Sequence, residues 1–135
     1  MLDATQSRRY GDLLLRVTLA LVFLAHGPFL KIFVFTVPGT VAFFESIGLP
    51  GFLAYLVIAG ETLGGLALLT GILVRPAALG LALISLGAAY PHLGNGWLFS
   101  NAGGGWEYPL VLAAASLAVA LVASGDPAPT PERSA

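Results

Sequence analysis

Glu61 stands about ten residues into an otherwise apolar run from Phe52 to Val74. A carboxyl group in that setting is suited to carrying a proton or binding a ligand. If the run crosses a bilayer as a helix, the ~1.5 Å rise per residue puts Glu61 roughly 15 Å from the outer end, near the midplane. An ionisable group there costs about 2.5 to 3.5 kcal/mol on insertion scales. It must therefore face protein or water, either neutral or paired with a cation. Gly60 and Gly64 make a G-x-x-x-G spacing around it, extended by Gly65, which marks a smooth face for a second helix. The competing structural role is a hydrogen bond that fixes helix packing.

His26 is the second candidate. It falls in Ala25-His26-Gly27-Pro28, where proline is expected to bend the first apolar helix and free a carbonyl beside a titratable ring. Proton transfer or ligand binding competes there with the part of a satisfied core donor. Lys31, five residues on, would lie roughly 140° round an ideal α-helix from His26. Unless the bend rotates it, Lys31 is expected on another face, with its ammonium snorkelling to the headgroups. His92 and Glu107 bracket a glycine-rich connection and are expected at the rim of a cavity above Glu61, walled by Tyr90, Trp106 and Tyr108. The alternative for these is interfacial solvation, with Glu107 as a favourable acidic residue at a helix N-terminus. Two histidines and two glutamates on separate helices could hold a metal, but no local spacing supports that, and no metal is expected.

The elements that position these groups follow from composition. The 135-residue chain is 57% hydrophobic and 10% charged, with a mean hydropathy of +0.88; soluble proteins average about a quarter charged residues. Six basic residues and a net charge of -1 leave no basic face for nucleic acid. The absence of cysteine removes disulfides, iron–sulfur ligation, attached c-type haem and thiol redox chemistry. The apolar stretches predict an all-α membrane protein, a four-transmembrane-helix bundle with helices over about 13–35, 52–74, 77–92 and 108–123. They would form a single domain over 1–123, followed by a proline-rich, disordered cytoplasmic tail over 124–135. A short interfacial helix is possible between the first two spans, where Val41, Phe43, Phe44 and Ile47 accompany Glu45 and Ser46.

Arg8, Arg9, Arg16, Arg75 and Arg133 fall on one side of such a bundle. The two opposite connections contain no lysine or arginine, with Lys31 at the end of the first helix the one exception, so the positive-inside rule predicts N-in, C-in. Arg8 and Arg9 before an apolar run also resemble the opening of a signal peptide. The run is long, no A-x-A-like site closes it and three more spans follow, so the first helix is expected to be retained.

Four short runs, in order, resemble the DoxX family of small bacterial membrane proteins. They are Ala25-His26-Gly27-Pro28-Phe29-Leu30-Lys31-Ile32-Phe33, Gly48-Leu49-Pro50, Gly60-Glu61-Thr62-Leu63-Gly64-Gly65, and Gly103-Gly104-Gly105-Trp106-Glu107-Tyr108-Pro109-Leu110. Pro28 departs from the family pattern. The likeness extends from about Leu14 to Asp126 and implies a multi-pass four-helix bundle in the bacterial inner membrane. In the best-known branch, the DoxX-type protein is a subunit of a thiosulfate:quinone oxidoreductase; other members resemble accessory proteins of redox-stress complexes. By that likeness His26, Lys31, Glu61, Glu107 and Tyr108 occupy the family's polar positions. The expectation is then a membrane subunit of a quinone-linked redox complex, with Glu61 and His26 as catalytic proton carriers. His92, Glu107, Tyr108, Lys31 and Trp106 would bind the quinone. A partner subunit would supply the electrons. The alternatives are a scaffold recruiting soluble redox enzymes, or a small-solute or proton carrier, which four short helices could form only as a homo-oligomer.

Overall fold

The structure is a computed structural model that describes residues 1–123; the tail expected to be disordered, 124–135, lies outside the described residues. No strand occurs among them. Helix α1 spans Ala4–Leu24 and continues without a break as a π-helical segment, Ala25–Val34. It starts well before the apolar run because Asp3 and Gln6 form a capping box: Gln6 N donates to Asp3 Oδ1 at 2.7 Å and Asp3 N to Gln6 Oε1 at 3.1 Å. Helix α2 is Val37–Ser46, capped by Thr36, whose hydroxyl accepts from Gly39 N at 3.2 Å. Helices α3 (Phe52–Thr70) and α4 (Val74–Ala89) follow; a 3₁₀ segment, Tyr90–Asn95, extends α4, and α5 is Glu107–Val122.

Three of these are long and apolar enough to cross a membrane: Ala4–Val34, Phe52–Thr70 and Val74–Asn95. Helix α5 is apolar but shorter. Their outward faces carry large apolar side chains, such as Leu63, Leu83 and Leu121, each at least two-thirds exposed. Continuous exposure of that kind requires an apolar surrounding.

Helix α1 packs along α3, α3 along α4, and α4 along α5. Leu19, Ala20, Phe23, Leu68, Leu81 and Val119 form the centre of the core. Glycines set the closeness of approach. A Cβ on Gly64 would meet Leu81, one on Gly65 would meet Leu24, and one on Gly60 would meet Ile84 Cδ1. The face marked by Gly60 and Gly64 is therefore filled by α4, and Gly65 admits α1. The register follows: α3 and α4 run antiparallel with Gly64 opposite Leu81 and Gly60 opposite Ile84.

The connection from Gly96 to Trp106 is folded back on itself. Gly96, Gly103 and Gly104 adopt φ near +78°, where a side chain would be strained. Trp106 N donates to Gly96 O and Glu107 N to Trp97 O. The Trp97 and Trp106 rings meet edge to face with centroids 4.6 Å apart.

Candidate functional site

The π-helical segment decides where the polar groups of the first helix go. In i→i+5 winding, a residue five positions on comes back close to its starting face. Lys31 therefore shares a face with His26, correcting the α-helical expectation that set them apart and sent the ammonium to the headgroups. Lys31 Nζ instead turns inward. It donates to Glu61 Oε2 at 2.7 Å and to the carbonyl of His26 at 3.1 Å. The Lys31 and Glu61 side chains are 20% and 7% exposed, a partly desolvated pair in which each charge requires the other.

Gly27 makes this pairing sterically possible. A Cβ there would stand 2.8 Å from Glu61 Cβ and 3.3 Å from Thr62 N, so only glycine lets the segment lie against α3 at this level. Helix α2 closes the arrangement, as the Thr40 hydroxyl, buried, lies 2.9 Å from both Lys31 O and Thr36 O. The end of the first helix and the start of α2 are thereby fastened at the residue that carries the ammonium.

The ion pair lies on the wall of a cavity of about 380 Å³, within the ~300–1,000 Å³ usual for small-molecule sites. His26, Lys31, Glu61, His92 and Tyr108 all line it, so five of the seven sequence-derived candidates come together. Apolar groups make most of the remaining wall, including Phe43, Phe44, Leu53, Val57, Ile84 and Leu112. His26 Nδ1 is 2.8 Å from Val22 O. A carbonyl only accepts, so Nδ1 carries the hydrogen, and Nε2 has no hydrogen-bond partner among the described residues. The Tyr108 ring stands over His26, centroids 6.0 Å apart and tilted by 35°. The third ammonium hydrogen of Lys31 likewise lacks a protein acceptor among the described residues.

Glu107 and Trp106 are not on this wall. Glu107 Oε2 accepts from Phe99 N at 3.0 Å, and Trp106 packs on Trp97, so both fasten the connection before α5. Tyr90, expected as a wall residue, is also absent from the lining. His92 does both jobs: it lines the cavity, and its Nδ1 lies 3.1 Å from Gly103 O and Gly104 O. With Glu107 held in the connection, no group of three histidine or acidic side chains placed to hold a metal occurs among the described residues.

Two contributions were missed in the sequence. Phe43 and Phe44 of α2 line the cavity, on a helix that packs against α3 and is tied by Thr40 to Lys31 O. Ser85 is the other. It is buried, lines the cavity and has an Oγ without a partner among the described residues, whereas Thr40, Thr62 and Thr70 each bond the carbonyl four residues earlier. The Gly60–Ile84 contact puts Ser85 at the depth of Glu61. Its signal was present, as Ser85 is the only hydroxyl residue in the run from Ala77 to Ala89. The site thus offers cationic, hydroxyl and imidazole groups at one depth, beneath an apolar chamber.

Comparison with known proteins completes the description. The family model of DoxX matches residues 11–94. That interval holds every cavity-lining candidate except Tyr108 and ends before α5, so the Gly103–Leu110 run lies beyond it. A protein of Bacillus subtilis (strain 168) named "Putative oxidoreductase CatD" is 38% identical over 96 residues, covering 67% of this chain and 69% of its own. No solved structure matches the chain.

Proposed function

The chain belongs to the DoxX family of membrane proteins, and from that premise we propose that it is the membrane subunit of a quinone-linked redox complex, with the cavity at Lys31 and Glu61 receiving the quinone headgroup. The observation that carries the reading is one apolar chamber with a paired ammonium, an unpartnered hydroxyl and an imidazole on its wall. A quinone ring is apolar and its carbonyl oxygens accept hydrogen bonds, so it fits these donors in kind. The free ammonium hydrogen of Lys31 and the Ser85 hydroxyl would hold the carbonyls, and the Phe43 and Phe44 rings would shield the ring from water. Bound there, a quinone supplies two-electron, two-proton redox chemistry, the electrons coming from a partner subunit.

His26 and Glu61 are the proton-handling groups in this reading. His26 Nε2 can hold a proton facing the cavity while Nδ1 stays bonded to Val22 O. The name of the Bacillus relative, an oxidoreductase, points the same way. A scaffold has less support, since a packing device needs no cavity beside its ion pair.

The setting proposed is the bacterial inner membrane, crossed four times with N-in, C-in orientation. The start of α1 and the end of α5 line one crevice, together with Arg8, Arg9 and Arg16. This favours an even number of crossings and a basic inner end. In this placement α2 lies in the outer interface and roofs the cavity.

Titration of purified protein with a short-chain quinone analogue tests the reading. Glu61→Gln and His26→Ala are each expected to weaken binding by about tenfold or more, the scale of a lost charge-assisted hydrogen bond. Unchanged affinity in both variants would remove the cavity as the quinone site.

A further inference from the structure

Four of the six basic residues, Arg8, Arg9, Arg16 and Arg75, lie at the end of the bundle opposite the cavity. Among the described residues none of their guanidinium groups makes an ion pair or a hydrogen bond. Arg16 stands where two crevices meet. One, of about 1030 Å³, separates the first turns of α1 from Val122 and Ala123, and receives Arg8 and Arg9. The other, of about 400 Å³, runs to the α3–α4 turn and reaches Arg75.

Two polar atoms on this shared wall are shut off without a partner among the described residues: the Nε of Arg16 and the Oδ1 of Asp12. A desolvated donor and a desolvated acceptor, each unmet, mark a surface shaped for something that supplies both. Asp12, one turn before Arg16 and lining both crevices, makes no ion pair with any of the four guanidinium groups, so among the described residues an excess of positive charge stays open to an anion. Gly71, at φ +78°, contributes by its missing side chain: a Cβ there would lie 3.2 Å from Arg16 Nη1. Leu13 and Leu73, both exposed, flank the crevices with apolar surface.

We propose that this end of the bundle is a binding site for an anionic phospholipid whose headgroup joins a phosphate to a free hydroxyl, as in phosphatidylglycerol. The phosphate oxygens accept from the forked guanidinium of Arg16 and from Arg75, with Arg8 and Arg9 completing the cradle. The headgroup hydroxyl donates to Asp12 Oδ1. The acyl chains lie along Leu13 and Leu73, which a soluble phosphate ester would leave uncovered.

Native mass spectrometry of the purified full chain, titrated with phosphatidylglycerol, phosphatidic acid or phosphatidylcholine, tests this. Phosphatidylglycerol is expected to be retained in preference to phosphatidylcholine, and Arg16→Gln and Arg75→Gln each to lower its affinity by about fivefold. Asp12→Ala should erase the preference for phosphatidylglycerol over phosphatidic acid, which lacks the hydroxyl. Arg16→Lys keeps the charge without the fork and should fall between wild type and Arg16→Gln. Melting temperatures in phosphatidylcholine alone show whether each variant is folded, and Arg16→Lys carries the test if Arg16→Gln is not. Equal retention of phosphatidylglycerol and phosphatidylcholine would overturn the proposal. So would a preference that survives in the Arg16→Gln/Arg75→Gln double variant. Glycerol 3-phosphate binding as tightly as the lipid, with the same arginine dependence, would assign the crevices to a soluble phosphate ester and overturn the lipid.

Discussion

The 2.7 Å contact between Lys31 and Glu61 concentrates the cost of this fold in two side chains. Removing one charge strands the other in a partly desolvated place, whereas removing both removes the demand. Lys31→Met and Glu61→Gln are each expected to destabilise by ~3 kcal/mol, read from thermal or denaturant unfolding in detergent. The double variant should recover most of that loss without recovering affinity for the quinone analogue. A double variant no more stable than the singles would show that the pair is not coupled. Gly27 gives a second test at this scale. Gly27→Ala forces a methyl group against Glu61 and Thr62 and is expected to cost about 1–3 kcal/mol. Gly80→Ala meets nothing within 4 Å and should not lower the melting temperature. Glu61 was legible in the sequence as a costly residue at depth. Its partner was not, because an α-helical wheel assigns Lys31 to another face.

The π-helical segment from Ala25 to Val34 turns that wheel. It winds through Pro28, which lacks the N–H that an α-helical bond would use, and it brings Lys31 and His26 to one face. Pro28→Ala restores the donor and favours α-helical winding, which rotates Lys31 away from Glu61. The expected result is unchanged helical content by circular dichroism together with weaker binding of the quinone analogue. If binding holds, proline is not what sets the winding. The side-chain hydrogen bond that ties helix α2 to the first helix is that of the Thr40 hydroxyl to Lys31 O. Thr40→Val should cost ~1 kcal/mol and speed amide exchange over residues 37–46, leaving exchange in α4 and α5 as it was. That a short helix could form after Pro38 was readable from its apolar and polar pattern. That Phe43 and Phe44 line the cavity was not, since it depends on how α2 packs against α3 and on the distant bond to Lys31 O.

At the scale of the whole molecule, Arg8, Arg9, Arg16 and Arg75 gather at one end and the cavity opens toward the other. The chain contains no cysteine, so single introduced thiols report orientation cleanly. Ser100→Cys, in the connection before α5, is expected to react with a membrane-impermeant maleimide on intact cells. Ser7→Cys is expected to react only after permeabilisation. Labelling of both from outside would refute the N-in orientation proposed here. Glu107 and Trp106 belong to this scale too, since they hold the connection before α5 in its folded-back shape.

Apolar composition, glycine spacing and a few expensive polar residues were enough to indicate helices in a membrane, the DoxX likeness, and Glu61 and His26 as the groups to watch. These follow from local chemistry: an apolar run must bury its backbone bonds in a helix, and an ionisable group at depth must have a reason to be there. The tertiary structure alone decided that Lys31 closes on Glu61, that Ser85 and α2 belong to the cavity, and that Glu107 and Trp106 hold a connection. Each of those depends on winding, register or distant hydrogen bonds, which spacing along a chain does not encode.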